Sequence, residues 1–86
     1  MTICLRDTED NTIVDCEVFE SSGKVKVQLS ISKSWGYAVE FKELEDKCKT
    51  MNGVSSTDDA LDTVTRKLQT EIKSLGSKLN LRYNED

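Results

Sequence analysis

Residues 24–32 read Lys-Val-Lys-Val-Gln-Leu-Ser-Ile-Ser, and their alternation decides the fold class. Val25, Val27, Leu29 and Ile31 fall on one side of an extended chain; Lys24, Lys26, Gln28, Ser30 and Ser32 fall on the other. Successive side chains of a strand point to opposite faces, so this is a half-buried antiparallel strand with one wet face. Upstream, Ser21-Ser22-Gly23 makes a turn, with Gly23 suited to the positive φ of a hairpin loop. Before it, Val14, Cys16 and Val18 share a face while Asp15 and Glu17 point away. Ile3 and Leu5 form an earlier apolar pair, separated by the turn-prone Glu9-Asp10-Asn11. Downstream, alternation resumes through Trp35, Tyr37, Val39 and Phe41 after a turn at 33–36, relieved by Gly36. Residues 1–42 thus read as a four-strand antiparallel meander.

The period then changes. Leu44, Cys48 and Met51 step by four and three, which describes a short helix over Lys42–Met51 ended by Asn52-Gly53. Ser56 or Thr57 is a good N-cap for a second helix, with Asp58 and Asp59 placed at the positive end of its dipole. That helix is the strongest periodic signal. Leu61, Val64, Leu68, Ile72 and Leu75 lie on one stripe that Leu79 would extend; Gly76 is expected to end the helix near residue 75, the alternative being a glycine tolerated inside it. The expected class is α+β: an antiparallel four-strand meander followed by a short and a long helix, the long helix packed on one sheet face. The division is a sheet over 1–42, a helical part over 43–79 and a tail or short fifth strand over 80–86, all in one domain spanning 1–86.

With 86 residues the chain has room for one domain and a thin core, so a partner or a second copy would add useful burial. Monomer and homodimer both fit. The net charge is −4 and the two signs are well mixed, which argues against a domain held mainly by phosphate contacts. The three cysteines are odd in number and widely spaced, which reads as reduced thiols in a cytoplasmic protein, host cytoplasm if viral. No apolar run approaches the length of a signal peptide or a membrane span.

Histidine is absent, which removes the commonest general base and the commonest neutral metal ligand. Ser-His-Asp and Cys-His arrangements are therefore not available in one chain. No Cys-x-x-Cys pair, calcium loop, GxGxxG or Walker-type loop occurs. The reading is a non-enzyme with no cofactor and no metal.

Two sets of residues are candidates for binding. Asp7, Glu9, Asp10, Glu17 and Glu20 occupy a hairpin and the expected solvent side of the second strand, and could meet a basic partner surface, with Trp35 as an anchor at a hairpin tip. Lys24, Lys26, Arg66 and Lys73 form the alternative, a nucleic-acid-binding set drawn from the sheet and from a helix stripe. A protein partner ranks first because the net charge is negative. In size and composition the chain is similar to small phage or mobile-element proteins that bind and inhibit host machinery, often by occupying a nucleic-acid-binding surface. That likeness rests on bulk properties and transfers no residue. It implies an inhibitor acting through an acidic face.

Overall fold

The computed structural model describes residues 1–32, 36 and 38–85. Three strands come first: β1 (Thr2–Arg6), β2 (Thr12–Ser21) and β3 (Lys24–Ile31). Two helices follow, α1 (Ala38–Met51) and α2 (Asp58–Leu79), then a last strand β4 (Arg82–Glu85). The sheet is antiparallel, four-stranded and ordered β3-β2-β1-β4, and α2 lies on one of its faces. The α+β class, the four antiparallel strands and the long helix on one sheet face match the sequence reading.

The β2–β3 hairpin closes through Ser22 and Gly23, whose φ values of 54° and 74° define a primed two-residue turn. Its register pairs Cys16 with Leu29 and Val18 with Val27 on the covered face. β1 adds Ile3 beside Cys16 and Leu5 beside Val14. A register shift at Leu5/Arg6 lets β2 bring both Ile13 and Val14 into the core, where both are buried. Against this face pack Phe41, Leu44 and Cys48 from α1 and Val64, Leu68 and Ile72 from α2.

The fourth strand is a correction. The sequence reading placed it at 35–41, but the chain is already helical at Ala38, and the fourth strand is Arg82–Glu85, paired with β1. Trp35 and Tyr37 lie outside the described residues. Val39 and Phe41 satisfy a period of two, yet Phe41, Leu44, Cys48 and Met51 also step by three, four and three. Helical packing separates the readings: Phe41 is buried and Val39 is 69% exposed. The edge of β3 that a meander would have used is also occupied. The segment between the helices binds it, with Val25 N–H donating to Val54 O at 2.9 Å, Gly53 N–H to Val25 O at 2.8 Å and Val27 N–H to the Asn52 side-chain oxygen at 3.2 Å.

Helix α2 also runs past its expected end. Thr57 is its N-cap, the hydroxyl accepting from Ala60 N–H at 3.0 Å, one of the two caps anticipated. Gly76 is internal and buried, and the helix stops at Asn80, which takes the left-handed conformation (φ 58°, ψ 42°). Glycine is needed at 76 for closeness: a Cβ there would sit 2.7 Å from Leu5 Cδ2 and 3.2 Å from Leu81 O. The turn at Asn80 then drops Leu81 into the core and delivers β4 to the free edge of β1. The expected short C-terminal strand therefore forms, as the fourth strand of the sheet.

Candidate functional site

Alternation sorts the sheet into two surfaces. Ile3, Leu5, Val14, Cys16, Val18, Val25 and Val27 meet the helices. Residues of the opposite parity form the other face, which no element covers among the described residues. Across it the register aligns Ser30, Asp15, Cys4 and Asn84 in one row, and Gln28, Glu17 and Thr2 in the next. Lys26 lies opposite Phe19 at one end, and Arg6 lies opposite Arg82 at the other. Two carboxylates thus stand centrally, with Lys26 toward one end and Arg6 and the Asp10-paired Arg82 toward the other. A concavity of about 370 Å³ opens beside them, lined by Thr2, Cys4, Arg6, Thr12, Asp15 and Asn84. Its walls offer hydroxyl, amide, carboxylate and guanidinium groups, which suit recognition of polar atoms.

The five acidic candidates do not share one surface. Asp7 is committed to the β1–β2 turn: its Oδ1 accepts from Glu9 N–H and Asn11 N–H, each at 2.9 Å, and its Oδ2 accepts from the Asn11 side-chain amide at 3.3 Å. Burial alone pushes this carboxyl up, but the hydrogen bonds from Asn11 and Glu9, with the nearby Arg82 charge, outweigh it and hold the group below the ordinary carboxylate value. Asp10 pairs with Arg82, which also donates to Asp7 O at 2.9 Å. Glu9 is exposed at the turn. Glu17 stands on the open face. Glu20 does not join it, a correction to the expected solvent side of β2: the two are three residues apart, an odd separation that reverses the face. Glu20 lies opposite Val25, at the helix side of the sheet end, and accepts from the Ser56 hydroxyl at 2.9 Å. Trp35 lies outside the described residues.

The basic candidates also separate. Lys24 and Lys26 belong to the open face by their register. Arg66 and Lys73 belong to α2 on the opposite side. Arg66 is bridged to Asp62 at 2.6 Å, and the Lys73 ammonium lies 5.7 Å from the centre of the Tyr83 ring. A single track of phosphate contacts cannot follow both pairs without wrapping around the sheet edge.

Compared with models of protein families, with curated proteins and with solved structures, the chain matches none.

The open face therefore stands on its own geometry. Asp15, Phe19, Cys4 and Arg82 belong to it, and none of them is among the binding candidates singled out from the sequence. Strand parity was the signal that could have found the first three. For Arg82 the signal was the fifth-strand pattern, which carried no information about its neighbour. No helix of the described residues is long and apolar enough to cross a membrane. Among the described residues no three metal-ligating side chains converge.

Proposed function

We propose that the chain is a small non-enzymatic protein-binding module, and that its partner docks on the open face of the sheet. The observation that carries this reading is the placement of Asp15 and Glu17 centrally on a strand surface that no element covers among the described residues, between Lys26 at one end and Arg6 at the other. Strands hold these groups in fixed register, so their ordering adds little entropic cost on binding. The complementary surface has a basic centre and polar or acidic borders. Half-buried Phe19 supplies apolar area near one margin. The resemblance in bulk to phage or mobile-element inhibitors supports the further reading that docking blocks a surface of the partner. The acidic site is narrower than the sequence suggests: Glu17 remains, joined by Asp15 on the same face of β2.

The test compares the native chain with Asp15→Lys/Glu17→Lys, both checked for folding by circular dichroism, as baits in nuclease-treated extracts of the source cell. A discrete protein retained by the native bait and lost with the double variant is the expected result. Equal retention by both removes the open face from the reading.

One observation favours a second reading, in which Lys24, Lys26 and Phe19 bind a single strand of nucleic acid at their end of the face. It predicts retention that disappears on nuclease treatment and an affinity that falls steeply with salt.

A further inference from the structure

The segment between the helices holds the one asparagine of the chain that precedes a glycine. Asn11, Asn80 and Asn84 precede threonine, leucine and glutamate, whereas Asn52 precedes Gly53. Residues 52–56 run along the outer edge of the β2–β3 hairpin and bond to Gly23, Val25 and Val27. Ser56 N–H donates to Gly23 O at 2.9 Å, and Gly53 N–H donates to Val25 O at 2.8 Å. Val25 N–H donates back to Val54 O at 2.9 Å, and Val27 N–H donates to Asn52 Oδ1 at 3.2 Å. Asn52 N–H is tied to the end of α1 through Cys48 O at 3.1 Å. Asn52 and Gly53 are both exposed to solvent.

We propose that Asn52 is a modification site: it deamidates through a ring closed with Gly53, at a rate set by how often residues 52–56 lift from β3, and its isoaspartyl product uncovers the β3 edge. The Gly53 nitrogen attacks Asn52 Cγ. An N–C bond forms, the Cγ–Nδ2 bond breaks, and Nδ2 leaves as ammonia with the Gly53 N–H proton. Gly53 has no side chain to obstruct this closure, unlike the residues that follow the other asparagines. Solvent water then opens the cyclic imide, its hydroxyl going to a carbonyl carbon and its proton to the nitrogen. Opening at the backbone carbonyl of residue 52 gives isoaspartate, in which the main chain runs through Cβ and Cγ and is one carbon longer. Opening at Cγ gives aspartate. Either product adds one negative charge.

The fold restrains both reacting groups. Attack requires the Gly53 nitrogen to lose its proton and turn onto Cγ, but that N–H is donated to Val25 O while the amide oxygen on Cγ accepts from Val27 N–H. Both bonds break when the segment lifts, and an exposed segment held by a few hydrogen bonds opens far more often than the core does. The two products then differ in what they do to the edge. Aspartate keeps an oxygen for Val27 N–H. Isoaspartate inserts a carbon between the Cys48 anchor and Gly53, so the Cys48 and Val25 bonds no longer fit together. The freed N–H and C=O of Val25 then stand on an open strand edge, which another strand can join.

The test incubates the full chain in warm, mildly alkaline buffer, with and without urea, and follows each asparagine by peptide mass mapping. In urea Asn52 should convert before Asn11, Asn80 and Asn84. In native buffer Asn52 should convert at least ~10-fold more slowly than in urea, because opening of the segment precedes attack. A second measurement separates the isoaspartyl form by anion exchange and compares its amide hydrogen exchange with that of Asn52→Asp. The Val25 amide should exchange at least ~10-fold faster in the isoaspartyl form. The proposal is overturned by an Asn52 that converts as fast folded as unfolded, by another asparagine converting first in urea, or by equal exchange at Val25 in the two forms.

Discussion

Replacing Gly76 with alanine sets two known effects against each other, and the structure decides between them. In an exposed helix interior the change would stabilise the protein by about 0.8–1 kcal/mol, through helix propensity alone. Here the new Cβ would stand 2.7 Å from Leu5 Cδ2 and 3.2 Å from Leu81 O. Leu5 is fully buried between β2 and β4 neighbours, so its side chain cannot simply swing aside. The carbonyl of Leu81 belongs to the tight turn that follows α2, where Leu81 N–H donates to Gly76 O at 2.8 Å. Inserting a methyl group into packed surroundings costs about 1–3 kcal/mol. The net expectation is a loss of about 1 kcal/mol, within a range of roughly 0–2, and a fall in melting temperature of about 4–8 °C for each kcal/mol lost in a domain this small. Urea unfolding followed by circular dichroism measures it. The double variant Leu5→Ala/Gly76→Ala completes a cycle: with Leu5 trimmed, the methyl group should cost nothing or help, giving a favourable coupling of about 1–3 kcal/mol. A Gly76→Ala chain stabilised by the full propensity gain would refute the close helix–strand approach.

Asn80 holds a left-handed conformation that costs most side chains about 1–2 kcal/mol. Asn80→Gly should therefore match or exceed the native stability in thermal melts while Asn80→Ala falls below it; equal stability of the two variants would contradict the cap geometry. Asp7 gives a pH dependence with a definite sign. Its carboxyl is depressed in the folded chain relative to the unfolded value of 3.8, so its contribution to stability is fully present above that value and is lost as pH falls through the lower folded midpoint. A side-chain titration by nuclear magnetic resonance should place Asp7 below 3.8, and Asp7→Asn should flatten the acid limb of stability against pH; a midpoint at or above 3.8 would count against the turn.

Much of the fold was legible because the signals are local. Alternation in Val25–Ile31 and in Val14–Val18 assigned both the strands and their buried faces. The odd spacing of Glu17 and Glu20 was equally open to reading, and it separates them across the sheet. Thr57 as N-cap needed only a hydroxyl ahead of two aspartates and an apolar stripe. The binding surface was harder to read, because it combines residues from four strands whose lateral order no local pattern encodes. Asp15 and Asn84 are far apart in sequence and share a row only through β1.

The sequence by itself therefore determined the first three strands, the faces they bury, and the long amphipathic helix with its cap, because each follows from a period of two or 3.6 residues within one segment. Tertiary structure alone decided which segment became the fourth strand. Residues 38–41 satisfy both periods, and the helix prevails because Phe41 finds a core site while the interhelical segment occupies the adjoining edge of β3. It also decided that Gly76 lies within α2: a glycine read along the chain is a helix breaker, but against Leu5 it is the one residue small enough to let the helix continue.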